Sequence, residues 1–243
     1  MTHTQFIRPD GRAYDQLRPI TFHPGYTQYP EGSVLVTWGD TRVLCNLTIQ
    51  NGVPNWLTGQ DSGWLTAEYA MLPRSTLTRT PRETHGLKGR TQEIRRLVGR
   101  SLRMAVDLSL IGDRTLLIDC DVLQADGGTR VASITGGYIA LALGLKKLMT
   151  SGEIPAEALS PPIAAVSVGI VQGQPILDLN YTEDSQADVD LNIVKTSKGQ
   201  YIEIQGTAEH QPFTPQALQN MLKLADKGVQ KLVSLQKTAL QAE

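Results

Sequence analysis

Hairpin-paired strands constrain this chain more than any other feature. In "SVLVTWGDTRVLCNLTI" two β-rich runs flank Gly39-Asp40, a two-residue connection that can close only a tight antiparallel turn. The run "IAAVSVGIVQGQPILDLN" predicts a second hairpin turning near Gly173-Gln174, and "VDLNIVKTSKGQYIEIQG" a third turning around Lys198-Gly199. Between them the apolar period changes to that of a helix. From Thr91, residues Ile94, Leu97, Val98, Leu102 and Ala105 fall on one face while Arg96, Arg100 and Arg103 fall on another. Val131 to Met149 reads as a buried helix, and Thr214-Pro215 supplies a cap and a first-turn proline for a last helix running to about Leu240. "WLTAEYAML" and "RTLLIDCDVL" add two more strands, the first as the only strand candidate in the loop-rich stretch from Gly52 to Gly89. Strands that come mostly in hairpins, with helices interspersed, predict an α+β fold and not a doubly wound parallel sheet.

The 243 residues, 40% of them hydrophobic, suffice for one sizeable core. No uninterrupted apolar run reaches the roughly 18 residues of a membrane span, and the N-terminus lacks the layout of a signal peptide, so a cytoplasmic protein without a membrane partner is expected. Cys45 and Cys120 lie inside apolar strand-like runs and read as reduced, buried side chains, not as a disulfide or metal pair. The net charge of -1 hides an asymmetry: from Pro73 to Arg103 there are nine basic residues against Glu83 and Glu93. Such a belt on an otherwise acidic chain suits a polyanion, although a solvated basic face has the same composition. Within the helix, Glu93 is placed to pair with Arg96, and Asp107 with Arg103, whereas Arg95 and Arg100 have no helical partner.

Two constellations carry chemistry. In "LQADGGTR" the chain leaves a strand and starts a helix through Gly127 and Gly128, which tolerate positive φ. The free amides of Gly128, Thr129 and Arg130, with the Thr129 hydroxyl and the Arg130 guanidinium, match an anion site; a plain turn capped by Thr129 is the alternative. In "DLNYTEDSQADVDL" five acids fall within thirteen residues: Asp178, Glu183, Asp184, Asp188 and Asp190. Asp184 and Asp190 facing across a short turn could hold Mg²⁺; a solvated acidic turn would look alike.

These motifs, together with "RPDGR", "GWLTAEYAMLPRST", "GRTQEIRRLVGRSLR", "IDCDVLQADGGTR" and "EIQGTAE", run in order along nearly the whole chain. The sequence thereby resembles the ribonuclease PH family, related to polynucleotide phosphorylase and exosome core domains. The resemblance implies a ribosomal protein S5 domain 2-like fold of mixed sheets with packed helices, a single domain over residues 1–243, and a homohexamer built as a trimer of dimers. It implies a phosphate-dependent 3′ to 5′ exoribonuclease that trims tRNA precursors and other RNA 3′ ends, reversibly, with inorganic phosphate as co-substrate and Mg²⁺ (or Mn²⁺) as metal. Matching residue by residue, phosphate binding falls on Arg90, Gly128, Thr129 and Arg130, and catalysis and metal binding on Asp184 and Asp190. Asp178 is a third catalytic candidate. Grip on tRNA falls on Arg74, Arg79 and Arg82. A non-catalytic, RNA-binding ring subunit of exosome type is the alternative.

Overall fold

The computed structural model describes residues 7–242. Its first sheet has five strands. β1 (Ile20–Pro24), β2 (Gly32–Trp38) and β3 (Thr41–Asn51) form an antiparallel meander, with Gly39 at φ 57° in the predicted turn. β4 (Trp64–Met71) leads through helix α1 (Gly89–Arg103) to β5 (Arg114–Gln124), which pairs parallel with β4 and antiparallel with β3. The order is β1-β2-β3-β5-β4. Helix α2 (Thr129–Thr150) then leads to a second sheet of β6 (Ile163–Val171), β7 (Gln174–Leu177), β8 (Val189–Thr196) and β9 (Tyr201–Ala208), ordered β7-β6-β8-β9 and antiparallel throughout. A one-turn helix, α3 (Tyr181–Asp184), separates β7 from β8, and α4 (Pro215–Gln241) ends the chain.

The fold is α+β, as the hairpins require; the one parallel pair, β4 with β5, needs the crossover that α1 provides. α2 packs against β2, β3 and β5 on one side and β6 on the other, and one hydrophobic core runs through both sheets. By length and composition α2 could cross a bilayer, but 78% of its most apolar window is buried inside the protein, which is why its apolar residues surround the whole helix. β6 is buried at all nine positions because α2 and α4 both pack on it. Buried Gln236 of α4 ties these layers together, donating to the carbonyls of Thr135 and Ile163 at 2.9 Å each. The Thr214 side chain caps α4 by accepting from the Ala217 amide, as its Thr-Pro start predicts.

Cys45 and Cys120 are free, buried and opposite each other across β3 and β5. The expected pairs within α1 are replaced by contacts between elements. Arg95 pairs with Glu68 of β4, Arg100 with Glu203 of β9, and Glu93 reaches Arg130 of α2 instead of Arg96. Arg103 stacks over Trp64 at 4.7 Å while Asp107 accepts from Ser109, so those two do not meet. Contacts across 27 to 103 residues of sequence outcompete the few tenths of a kcal/mol that a helical neighbour offers.

Candidate active site: an anion cradle against an acidic turn

The turn between β5 and α2 has the backbone its glycines permit. Gly127 and Gly128 take φ of 74° and 70°, and Gly128 is the N-cap residue, so Thr129 is not a cap: it is the first residue of α2, with its side chain free for other contacts. Gly127 also has no room for a side chain. A Cβ there would lie 2.7 Å from the Leu179 carbonyl and 2.9 Å from the Tyr181 amide. The cradle is thus pressed directly on the segment that carries Asp184, and the Tyr181 amide donates to Asp126 Oδ1 at 3.3 Å. Two motifs more than fifty residues apart in sequence thus lie in direct contact.

Both sides of that junction are braced from below. Arg18 donates to the carbonyl of Asp126 and, at 2.7 Å, to Asp178 Oδ1, and Thr41 donates to the Gly127 carbonyl at 2.7 Å. Arg8 forks onto Glu183 at 2.7 and 2.8 Å, geometry that gives two charge-assisted bonds in one plane. Glu183 in turn completes a capping box with Asn180, fixing the turn of α3 that ends in Asp184.

Asp178 has a structural post, not the catalytic one expected. It is fully buried, at φ 58°, and accepts from the Arg18 amide and guanidinium, from Trp38 Nε1 at 2.9 Å and from Arg12. Burial alone would raise its carboxyl; the charge and hydrogen bonds of Arg18 overcome this and hold it below the ordinary value. Every acceptor direction is used, so nothing is left for a substrate or metal.

Asp184 and Asp190 behave oppositely. Partial burial raises the Asp184 carboxyl, opposed by the charges of Arg90 and Arg130. Burial, then the charge of Asp184, push Asp190 up to about 6, with Glu209 adding to both. Asp190 Oδ2 accepts from Asn192 at 3.3 Å, while its buried Oδ1 has no hydrogen-bond partner. An unpartnered buried carboxylate oxygen beside a second carboxylate fits a proton or a hard cation. Among the described residues no group of three or more His, Cys, Asp or Glu side chains is arranged to hold a metal.

Arg90, in the first turn of α1, and Arg130, in the first turn of α2, are both near enough to act on Asp184 and on Tyr69. Arg130 is held by Glu93 at 3.0 Å and by the Gln205 side-chain carbonyl at 2.9 Å. Arg74, Arg79 and Arg82 are exposed on the irregular segment between β4 and α1, outside this cluster; Arg82 lies near Asp121 of β5. Sequence reasoning gave no role to Arg18, Gln205 or Tyr69, counted Glu183 only as one of five acids, and placed Glu93 only beside Arg96. Only Glu183 had a local signature, the Asn180-x-x-Glu183 capping box ahead of the short helix.

Residues 16–144 match the model of the 3′ exoribonuclease family, domain 1, and residues 161–228 that of domain 2. Ribonuclease PH of Corynebacterium efficiens is 54% identical over 239 residues, 98% of each chain, and ribonuclease PH of Syntrophomonas wolfei is 55% identical over 235 residues, covering 96% of this chain and 98% of that one. Among solved structures, rice Rrp46 superposes with a TM-score of 0.78 at 19% identity, covering 96% of this chain and 100% of that one. The Archaeoglobus fulgidus exosome with RNA bound to the active site superposes with 0.79 at 25%, covering 93% and 91%. With both family models matched in order and this identity sustained from end to end of two relatives, the chain belongs to the 3′ exoribonuclease family.

Proposed function

We propose that this chain, as a single domain, is a phosphate-dependent 3′ to 5′ exoribonuclease that trims the 3′ ends of tRNA precursors and other RNAs in the cytoplasm. The observation that carries the reading is the junction at Gly127: a helix N-terminus with free amides, flanked by two arginines, in contact with the segment that leads to Asp184, whose carboxyl and that of Asp190 at the start of β8 both have raised pKa values. A hydrolase has no use for a second anion site beside its acids, whereas inorganic phosphate as nucleophile requires one.

In this reading Arg90, Arg130, the Thr129 hydroxyl and the amides from Gly128 onward hold phosphate in line with the last phosphodiester. A phosphate oxygen bonds to that phosphorus, the bond to the 3′ oxygen breaks, and the products are a nucleoside 5′-diphosphate and an RNA one nucleotide shorter. One of the two carboxyls, Asp184 or Asp190, supplies the proton taken up by the departing 3′ oxygen. Asp184 and Asp190 would also hold Mg²⁺ or Mn²⁺, which when bound would offset the negative charge that builds up in the transition state. A phosphodiester is exchanged for a diphosphate, so the reaction runs in both directions, and excess nucleoside diphosphate should extend RNA. Arg74, Arg79 and Arg82 grip the RNA backbone, and the active form is a homohexamer, a trimer of dimers.

The test is product identity. The protein is incubated with Mg²⁺ and a tRNA carrying a few extra 3′ nucleotides, with and without inorganic phosphate, and the released nucleotides are resolved. Nucleoside diphosphates released only with phosphate are expected. Monophosphates in both buffers would mean a hydrolase, and no release with intact RNA binding would mean a non-catalytic ring subunit.

A further inference from the structure

Tyr69 is a β4 residue, 3% exposed, whose Oη lies 2.9 Å from Thr129 Oγ1. Among the described residues this is the one hydrogen bond that either hydroxyl makes. Two hydroxyls carry two hydrogens, and one bond uses one of them. If Thr129 donated, the phenol hydrogen would be buried without an acceptor, which is costly. If Tyr69 donates, the spare hydrogen is that of Thr129, a buried side chain on the first residue of α2, where only a bound anion beside the helix N-terminus would accept it. The phenol is also the more acidic hydroxyl and the better donor. Burial raises the Tyr69 pKa, against its bond to Thr129 and the charges of Arg90 and Arg130, so the phenol keeps its proton at neutral pH.

We propose that Tyr69 is a positioning residue for the phosphate nucleophile: by donating to Thr129 Oγ1 it turns the Thr129 hydrogen away from the core and presents it to an anion held between Arg90 and Arg130. The donated bond also polarises the Thr129 hydroxyl, which strengthens its own donation. Tyr69 touches neither RNA nor phosphate in this arrangement. Its influence passes through one oxygen atom.

The proposal rests on the phosphorolytic reading, and its test separates the two. Initial rates of trimming are measured against inorganic phosphate at saturating RNA and Mg²⁺ for the wild type, Tyr69→Phe, Thr129→Val and the double variant, with RNA affinity and melting temperature measured alongside. Tyr69→Phe should raise KM for phosphate about fivefold, the size of one lost hydrogen bond, with kcat at saturating phosphate and RNA affinity within about twofold of wild type. In the Thr129→Val background the Phe substitution should add nothing further to KM, since the oxygen through which it acts is gone. A loss of active fraction through misfolding lowers apparent kcat and leaves KM alone, so a structural role for Tyr69 would not reproduce this pattern. An unchanged KM in folded Tyr69→Phe, or the same fivefold rise in both backgrounds, would overturn the proposal while leaving phosphorolysis standing. A wild type whose rate ignores phosphate would overturn the reading beneath it.

Discussion

Asp178 and Asp190 belong to one short acidic stretch, yet the fold treats them in opposite ways. Asp178 is sealed in a knot with Arg12, Arg18 and the Trp38 indole, its charge fully compensated and its pKa held down. Asp190 sits at the start of β8 with one buried oxygen unpartnered and a second carboxylate nearby, its pKa pushed up to about 6. The difference separates a compensated charge from an uncompensated one: Asp178 is paired within the chain, and Asp190, which the proposed function assigns to the reaction, is left with an unpartnered oxygen at some expense in stability.

The largest expected effect breaks the knot. Asp178→Ala leaves Arg18 and the Trp38 N–H buried without their acceptor, and should cost about 3–5 kcal/mol, or on the order of 10 °C in melting temperature. Asp184→Ala at the exposed end of α3 should change melting temperature little. Equal losses in the two variants would erase the distinction between paired and unpaired acids.

Asp190→Asn should abolish trimming, by about two orders of magnitude or more, while stabilising the metal-free protein by roughly 2 kcal/mol at pH 7. Its sign follows from linkage. A folded pKa of about 6 lies above the unfolded value, so the native state binds the proton more tightly, and this group's contribution to stability falls as pH rises from about 4 to 6. Asp178, with a lowered folded pKa, contributes stability at neutral pH that is lost as pH falls below the ordinary carboxylate range. Melting curves with a chelator from pH 4 to 8 should show the first slope vanish in Asp190→Asn; a retained slope would place the strain elsewhere.

Two smaller effects sharpen the same contrast among the arginines. Replacing Arg74, Arg79 and Arg82 together by Ala should weaken tRNA binding and lower the slope of log affinity against log salt by up to about 2, as expected for lost phosphate contacts. An unchanged slope would remove that segment from the RNA path. Arg100→Gln breaks an exposed pair with Glu203 and should cost about 0.5 kcal/mol or less in urea unfolding, against the several kcal/mol of the buried knot.

Much of the architecture could be read from local pattern. Hairpin turns at Gly39, Gly173 and Gly199, the buried stripe of α1 and the Thr-Pro start of α4 are short-range signals, and the structure has each of them. The backbone of the turn into α2 was legible for the same reason, since Gly127 and Gly128 tolerate the positive φ that it takes. Partnership was not legible. Glu93 could be paired only with the arginines within one helical turn, whereas the fold brings Arg130 and Gln205 to it. Tyr69 was only one residue of the strand run "WLTAEYAML" until α2 set Thr129 against it.

By itself, then, the sequence determined the elements, the α+β class and the presence of a glycine turn at the start of α2 and an acidic turn, because turn chemistry, hydrophobic period and helix capping act over a few residues. Tertiary structure decided that those two turns touch at Gly127, that Asp178 braces while Asp184 and Asp190 remain open, and which arginine each carboxylate meets. Burial and Coulomb interactions depend on distance through space, and chain closure alone sets those distances.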